Sequence, residues 1–579
     1  MKRSPKETFY YVGQEIPYHR LDRYRCLDAT TQVVLQKARG RITLIIGALA
    51  LCFAVIVGRL FYLTIVNYQA RNFTPSVLKT EYMTGRQNIV DRHGIVLATS
   101  IPTADLSVNP SKIKNPEEVA EKLAKAIPSL SYEEAYQKLT AGNNFQYIKR
   151  GLTPVERNAV NWIGNPYLEE RQGEKRVYPQ QNLFSHLIGS VDIDNVGTAG
   201  LEKAYNEELK TDPVMLSLDT SVQEMTRQAL MQGIQKYKAR AGLSVVMNVK
   251  NGEILASVSL PDYNPNRSAG KKDDRFNKVS LGSYEFGSVF KLFNTAMALE
   301  AGDIRPTDSF DAKSTLKIGR KVIEDFRGQN RVLTVPEILI HSSNIGSARI
   351  ALQSGWQKQR DFLGKLGFYQ KLPIVLSERG STLYPTGAKW ADMTSASVAY
   401  GYGVSVTPLH LIAAVAAIAN DGIYHVPTFI KDGNKGRPEY QVISRKTSEQ
   451  MRHMMWAVIN WEMKESNPVY GYAVGGKTGS ANLLSEDGRY IQGSLRTSFV
   501  GVFPMDDPQY AVLVTLEDPK KIKETWMFNN AGWNARPIGL NIIAEIAPYL
   551  GVMPRPRWEQ PSYIEQAIEK SIEYKKRKK

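Results

Sequence analysis

A serine and a lysine three residues apart, Ser288 and Lys291, lie in the segment EFGSVFKLF, directly before a further run of apolar residues. At this spacing two helical side chains share one face, so the lysine amine can take the hydroxyl proton and make the serine a nucleophile. Burial and a second nearby cation would keep that amine neutral, as a base must be. In the alternative interpretation, Ser288 caps a helix and Lys291 is a snorkelling side chain.

The Ser-x-x-Lys pattern is weak alone, because it recurs in this chain at Ser76, Ser111, Ser268 and Ser314. Those four serines have polar or Gly/Pro-containing surroundings, whereas Ser288 follows Gly287 and opens a helix that is apolar on nearly every side. Such a helix is expected to be buried and to hold both side chains in place. Its N-terminus would direct backbone N–H groups at an oxyanion.

Two further segments carry chemistry-bearing residues. HSSNIGSA contains Ser342 and Asn344, and VGGKTGSA contains Lys477, Thr478 and Gly479 within a predicted strand. Ser-x-Asn recurs elsewhere in the chain, but Lys-Thr-Gly occurs once. The three patterns follow the order known for penicillin-binding proteins and their β-lactamase relatives.

On these motifs the chain resembles the class B penicillin-binding proteins, the monofunctional peptidoglycan transpeptidases, and most of all the division-specific members. IVDRHGIVLATSIP, RVYPQQNLFSHLIG and GTAGLEKAYNEEL are similar to the motifs of the family's pedestal domain. YGYGVSVTPLHLIAAVAAIANDG is similar to a run that precedes the third catalytic motif. The resemblance covers nearly everything from residue 42 to about residue 548.

The resemblance implies a role for each motif residue and no metal or other cofactor. Ser288 would attack the carbonyl of the penultimate D-alanine of a stem peptide, and Lys291 would take its proton. Ser342 would pass a proton to the leaving D-alanine. Asn344 would hold Lys291 and the substrate amide.

The third motif would bind the substrate. Lys477 and Thr478 would bind the substrate carboxylate, and Gly479 would let the substrate approach the strand closely. The backbone N–H groups of Ser288 and Ser480 would form the oxyanion hole.

Three positions depart from the family pattern. Val289 and Ser480 stand where the family often has threonine, and neither supplies a side chain that the chemistry needs. Gln87 stands where the first pedestal motif commonly has glycine, so the local backbone shape there is open.

Periodicity predicts an α+β chain with a membrane anchor. We expect a cytoplasmic tail (1–41), a single transmembrane helix (42–66), a pedestal or dimerisation-like domain (67–213), a transpeptidase domain (214–560) and a basic C-terminal tail (561–579). The final residues KKRKK, 575–579, are expected to be solvated and disordered. The transpeptidase domain should contain one antiparallel sheet covered by helices, with Asn251-Gly252 in a hairpin.

The anchor prediction rests on an apolar stretch of the length that a bilayer requires, interrupted only by Arg59 near its end. A buried core helix is the alternative. Nine Lys and Arg against four Asp and Glu precede the stretch, so the N-terminus should stay in the cytoplasm and the catalytic part should be periplasmic, at the bacterial inner membrane. A cleaved signal peptide has a short basic region before its apolar stretch and small residues after it. Here the basic segment is long and the residues after the stretch, NYQARNF, are bulky, which favours an uncleaved anchor.

A net charge of +17 favours an anionic partner. Because the predicted orientation places most of the basic residues outside the cytoplasm, an acidic polymer or a membrane surface is favoured over nucleic acid as that partner. The cysteines, Cys26 and Cys52, provide neither a disulfide framework nor a cysteine-based zinc site downstream. The resemblance implies stem peptides and β-lactams as ligands. It also implies a membrane-embedded glycan polymerase and other division proteins as partners.

Four alternatives remain open from sequence. A Ser-His-Asp hydrolase would use His341 beside Ser342, but no Gly-x-Ser-x-Gly elbow occurs and neighbouring residues point apart. A carboxypeptidase or β-lactamase would use the same motifs with water as acceptor. An elongation-specific transpeptidase would also share them. A catalytically inert sensor or scaffold is disfavoured by the intact motifs.

Overall fold

The structure is a computed structural model. It describes residues 41, 44, 46–59, 85–267, 272–433, 435–436, 439–463, 467, 469–485, 487–555 and 558–577.

Only part of the predicted membrane segment, residues 42–66, is among the described residues. Residues 44 and 46–59 are helical, and their side chains, including Cys52, are exposed. None of the described helices combines the length and the apolarity that a bilayer span requires. The rest of this segment, Cys26 and the predicted cytoplasmic tail other than residue 41 lie outside the described residues.

Residues Tyr82–Lys579 form one compact unit. Its first part contains strands β1 (Ile89–Val90), β2 (Val96–Val108), β3 (Gln146–Leu152), β4 (Leu168–Val177), β5 (Ser190–Val191), β6 (Gly197–Ala199) and β7 (Val214–Met215). Its helices are α1 (Pro116–Ala126), α2 (Tyr132–Leu139), α3 (Pro154–Asn161), α4 (Ser185–Ile188) and α5 (Gly200–Ala204). The long strand β2 pairs with β4, β3 and β1, and β1 pairs in parallel with β7.

An apolar cluster and a separate buried ion triad lie inside this first part. The apolar faces of α1 and α2 bury Leu123 and Leu139 in a cluster that also contains Leu106 of β2. A buried ion triad lies apart from that cluster: Glu202 accepts from Arg86 Nε at 2.6 Å and from Arg176 Nε at 2.7 Å. All three side chains are nearly inaccessible to solvent, so each charge depends on the others for compensation.

The backbone at Gln87 is ordinary. Its φ angle is not positive, its N–H donates to the Leu209 carbonyl at 2.6 Å, and its carbonyl accepts from Arg176. The position therefore does not require glycine in this chain.

The second part of the unit contains one fully antiparallel sheet. Its strands are β8 (Ala241–Asn248), β9 (Ile254–Leu260), β16 (Gly475–Leu484), β17 (Tyr490–Phe503) and β18 (Tyr510–Glu517), in the order β16-β17-β18-β8-β9. Asn251 and Gly252 lie in the β8–β9 turn, where Gly252 has φ +76°. The antiparallel sheet and this hairpin were both predicted correctly. Because β16 lies at the edge, its outer side is unpaired in the sheet.

Short two-residue and three-residue strands surround this sheet: β10 (Ser309–Asp311), β11 (Leu316–Ile318), β12 (Lys321–Ile323), β13 (Val332–Thr334), β14 (Ile423–Tyr424) and β15 (Tyr440–Gln441). The helices are α6 (Thr220–Tyr237), α7 (Phe290–Glu300), α8 (Val335–Ile340), α9 (Asn344–Ser354), α10 (Trp356–Lys365), α11 (Asp392–Ala399), α12 (Pro408–Ala419), α13 (Arg445–Asn460), α14 (Ala535–Tyr549) and α15 (Ser562–Arg577).

The helices cover the sheet, as predicted. Helix α6 packs against α14 and against strands β8 and β9, while α12 contacts β8, β17 and β18 and is buried along its whole length. Helix α7 is buried at every position from Phe290 to Leu299. The prediction that this apolar helix is buried is therefore confirmed.

The two parts meet through the first pedestal motif. Asp91 Oδ2 accepts from Thr220 Oγ1 at 2.6 Å, and the Arg92 N–H donates to the Leu218 carbonyl at 2.9 Å. These contacts link strand β1 to the start of α6.

The disorder predicted for residues 575–579 was wrong for residues 575–577, which are the end of a helix. The whole helix consists of residues 562–577. They form α15, which buries Ile564, Ala567 and Ser571 against the main core and so gains an apolar face that the basic residues conceal in sequence. Residues 578 and 579 lie outside the described residues.

The ion triad generates a stability prediction. Replacing Glu202 with glutamine leaves two buried arginines uncompensated, and we expect the variant to lose about 3–5 kcal/mol of unfolding free energy in urea titrations. The matched control is Glu207→Gln, because Glu207 is exposed and pairs with exposed Lys210, and it should change stability by about 0.5 kcal/mol or less. Equal stability of the two variants would contradict the role of the triad.

Candidate active site

Ser288 lies in the 3₁₀ turn Gly287–Val289 that leads directly into α7. Its side chain is partly exposed, and no side-chain hydrogen bond of Ser288 is found among the described residues. Gly287 has φ +51°, and a Cβ on it would lie 2.6 Å from the Ser480 carbonyl oxygen. The turn therefore lies against strand β16, and only glycine allows this approach.

Lys291 lies one helical turn later and is fully buried. Its Nζ donates to the Ser342 carbonyl at 2.5 Å, to Asn344 Oδ1 at 2.7 Å and to Ser342 Oγ at 3.2 Å. Among the described residues no hydrogen bond joins this amine to Ser288. Lys291 therefore binds the second motif, Ser342 and Asn344, although it lies one helical turn from Ser288.

Burial and the charge of Lys477 lower the pKa of Lys291 well below its usual range, and Asp325 opposes this effect. Desolvation is the largest cause, because the ammonium ion loses its hydration in the core. Burial therefore favours the neutral form of the amine, which is the form that accepts a proton.

The second motif follows the end of α8. Ser342 adopts φ +55°, which is rare for a residue other than glycine, and Ser343 then caps α9 by accepting from the Gly346 N–H at 3.0 Å. Asn344 directs its Oδ1 at Lys291, and its amide Nδ2 donates to the Glu324 carbonyl at 2.9 Å. The amide orientation is therefore set, and one of its N–H groups remains for another acceptor.

Asp325 is the residue that sequence reasoning missed. Its carboxylate accepts from Ser343 Oγ at 2.7 Å, from the Asn344 N–H at 2.5 Å and from the Ile345 N–H at 3.0 Å. It thus holds the start of α9, where a negative charge is favoured. No motif marks it, since it lies in the loop after β12; only the fold brings it to the second motif.

Lys477 enters the site from edge strand β16. Its Nζ donates to Ser342 Oγ at 3.0 Å and to the Thr478 carbonyl at 3.1 Å, and its side chain is buried. Ser342 Oγ consequently lies between two lysine amines. Burial, with the charge of Arg536 as a second cause, lowers the pKa of Lys477 to about 7.

The remaining third-motif residues follow along β16. Gly479 lies against the Ser288 turn, because a Cβ there would lie 2.1 Å from the Phe286 carbonyl oxygen. Its glycine requirement thus comes from close contact within the protein. Ser480 Oγ accepts from the Ala531 N–H at 3.0 Å, and Thr478 is partly buried.

The structure brings Ser288, Lys291, Ser342, Asn344 and Lys477 into one site, from three separate segments. His341 points elsewhere: its Nε2 contacts Ser571 Oγ at 2.9 Å, so the alternative pairing of His341 with Ser342 does not form. In the part of the chain that the structure describes, no group of three or more His, Cys, Asp and Glu side chains could hold a metal.

The arrangement suits nucleophilic acyl transfer. A partly exposed serine hydroxyl lies at a helix N-terminus, and a buried lysine amine lies one turn away. A second hydroxyl, that of Ser342, lies between this amine and the amine of Lys477. These are the components of an activated nucleophile, a base and a proton relay.

Comparison with known proteins identifies relatives of both parts. A family model described as the penicillin binding protein transpeptidase domain matches residues 242–542, and one described as the penicillin-binding protein dimerisation domain matches residues 83–215. A probable peptidoglycan D,D-transpeptidase FtsI from Caulobacter vibrioides is 33% identical over 483 residues, covering 81% of this chain and 82% of the relative. Stage V sporulation protein D from Bacillus subtilis is 30% identical over 525 residues, covering 83% and 80%.

Solved structures are similar in fold. The structure of penicillin-binding protein 3 from Mycobacterium tuberculosis complexed with ampicillin has a TM-score of 0.65 and 23% identity, covering 82% of this chain and 98% of that one. A peptidoglycan synthetase from Bifidobacterium adolescentis has a TM-score of 0.64 and 22% identity, covering 82% and 97%.

The electrostatics generate a titration prediction. Since its folded-state pKa is lowered to about 7, Lys477 should be charged below that pH and neutral above it, whereas an ordinary lysine has a value of 10.5. In an NMR titration of the full chain with ¹³Cε-labelled lysine, one resonance should have its midpoint near 7. The Lys477→Arg variant should lack that resonance, which assigns it. A Lys477 midpoint near 10 would contradict the effect of burial.

Proposed function

The chain belongs to the class B penicillin-binding proteins and is a serine-type D-Ala-D-Ala transpeptidase of peptidoglycan, and we propose that Ser288 carries the acyl group during septal cell-wall synthesis. The observation that supports this assignment is the meeting of two buried lysine amines at Ser342 Oγ, next to Ser288 at the start of α7.

In the acylation step, Ser288 Oγ attacks the carbonyl carbon of the penultimate D-alanine, and its proton passes to Lys291 Nζ. Three features support Lys291 as base: its burial, its lowered pKa and its position one helical turn from the serine. The N–H groups of Ser288 and Ser480 stabilise the tetrahedral oxyanion in this proposal, and the close approach of Gly287 to the Ser480 backbone supports their pairing.

The intermediate then collapses. The peptide C–N bond breaks, and the proton from Lys291 reaches the leaving D-alanine amine through Ser342 Oγ. A single hydroxyl can carry out this relay, because it accepts from a lysine amine and donates its own proton to the departing nitrogen. Lys477, when charged, attracts the substrate carboxylate, with the Thr478 hydroxyl as a second donor, and carboxylate binding in turn favours the charged form.

The acyl group next passes to an amine of a neighbouring stem peptide. The amine nitrogen attacks the ester carbon, Lys291 takes a proton from it, the C–O bond to Ser288 breaks, and that oxygen regains the proton. One amide is lost and one is formed, so the exchange needs no external energy source or cofactor. A β-lactam enters the same first step, but its cleaved ring nitrogen stays attached to the acyl group.

The septal assignment and the cellular location extend this proposal. The sequence resembles the division-specific class B members, and the basic lead-in before residue 42 supports a single inner-membrane anchor with a periplasmic catalytic domain. Because no glycan-polymerising domain fits between the proposed anchor and the transpeptidase domain, a membrane-embedded polymerase of the division machinery is the proposed partner.

The nucleophile is tested by mass spectrometry of the intact full-length protein after exposure to penicillin. Ser288→Ala should abolish the covalent adduct without large loss of stability, since the side chain is partly exposed and the substitution removes a single oxygen atom. The matched control is Ser314→Ala, which alters an exposed serine in the same Ser-x-x-Lys pattern and should leave the adduct unchanged. Lys291→Met should slow acylation about 100-fold or more. An adduct of full yield on Ser288→Ala would exclude Ser288 as the nucleophile.

The orientation is tested by labelling with a membrane-impermeant thiol reagent. In spheroplasts producing a Cys52→Ala protein, Cys26 should stay unlabelled until the membrane is opened, because it precedes the proposed anchor. Adding Ser314→Cys, at an exposed position of the catalytic part, should give immediate labelling. Labelling of Cys26 from outside would reverse the proposed orientation.

A further inference from the structure

Helix α15 lies beyond the matched family ranges and packs next to the second active-site motif. The transpeptidase family model ends at residue 542, whereas α15 spans Ser562–Arg577. It contacts α8, the six-residue helix whose end delivers Ser342 to the site, and it also contacts α13. Its residues Ile564 and Ala567 are buried in the main core, so the helix is docked along one face.

One contact of α15 reaches the residue directly before Ser342. Ser571 Oγ donates to the Ala567 carbonyl at 2.7 Å, so its single proton is used and it accepts from His341 Nε2 at 2.9 Å. This assigns the proton of His341 to Nε2. Burial lowers the pKa of His341 to about 4, so the ring is neutral, and it packs edge-on against Trp461 with centroids 5.5 Å apart.

A second contact reaches the opposite end of α8. The Arg331 guanidinium lies over the Tyr574 ring, 5.3 Å from its centroid, and pairs with Glu337 at 2.7 Å. Glu337 in turn accepts from the Thr334 N–H at 2.9 Å, which forms the capping box of α8. Helix α15 therefore holds α8 at both its start and its end.

This support matters because Ser342 is strained. Its φ of +55° costs free energy in an L-residue and persists only where the surroundings impose it. From one side, Lys291 and Asp325 restrain the motif. From the other side the chain enters through His341, whose side chain is hydrogen-bonded to Ser571.

We propose that Ser571 and His341 are positioning residues for acylation: α15 holds the end of α8 so that Ser342 stays between the two lysine amines. The inference rests on the proposed function and extends it to a C-terminal helix outside the matched family ranges. Loss of this contact should lower the rate of the chemical step more than the affinity for the substrate, because Ser571 and His341 are not among the residues proposed to bind the carboxylate.

The test measures acylation of the full-length protein in detergent by a fluorescent penicillin over a range of concentrations. Ser571→Ala should lower the maximal acylation rate about 10-fold, as expected when a reacting group is displaced by a fraction of an ångström, with the half-saturating concentration nearly unchanged. Ser571→Thr keeps the hydroxyl and should restore the rate. Ser562→Ala, at the exposed first residue of the same helix, should behave as wild type.

Each outcome decides the proposal. A maximal rate unchanged in Ser571→Ala overturns it, as does a loss that Ser571→Thr fails to restore or that follows the fraction of unfolded protein. If Ser571→Ala does not fold, Tyr574→Leu replaces it: this variant removes the ring over Arg331, and an unchanged maximal rate would again overturn the proposal. Failure of the proposed function is distinguishable, because labelling would then persist in Ser288→Ala.

Discussion

The site depends on the burial of two lysine amines around one serine oxygen. Each amine loses its hydration in the core, which lowers the pKa of both lysines. The charge of Lys477 lowers the pKa of Lys291 further, and the charge of Arg536 contributes to a pKa of about 7 for Lys477. The site therefore favours the neutral form of Lys291 and lets Lys477 titrate near neutral pH. Neither property exists in an unfolded chain, where both amines would be charged. The surrounding polar groups, above all the Ser342 carbonyl and Asn344 Oδ1, accept the N–H groups of Lys291 that burial would otherwise leave unpaired.

The scaffold meets this requirement by bringing three segments together at the edge of one antiparallel sheet. Helix α7 is buried on all sides and fixes Lys291, edge strand β16 brings Lys477, and the α8–α9 junction supplies Ser342 and Asn344. The Ser288 turn and β16 approach each other so closely that glycine is required at Gly287 and Gly479. The nucleophile and the strand are therefore held by backbone contact, which rigidifies a site that carries out acyl transfer.

Restraint of the second motif is distributed among distant parts of the chain. Asp325 anchors the start of α9, and α15 reaches the residue before Ser342 through Ser571. In the pedestal, the Glu202 triad joins segments that lie more than 100 residues apart in sequence. In both places a buried polar group is compensated by partners that only the folded chain supplies, so catalytic geometry and pedestal architecture follow the same physical rule.

Much of this protein follows from local sequence. The nearly continuous apolar character of α7, the Asn251-Gly252 turn and the strand that contains Lys477 are elements that depend on neighbouring residues, so they are predictable. The three spaced motifs indicate acyl transfer. Tertiary structure decided the rest. Asp325 carries no motif, and α15 conceals its apolar face among basic residues. Lys291 donates hydrogen bonds to the second motif, and Gly479 lies against the Phe286 carbonyl. These features arise between segments distant in sequence, where burial, charge and close contact are set by the packing of the whole chain and no local pattern records them.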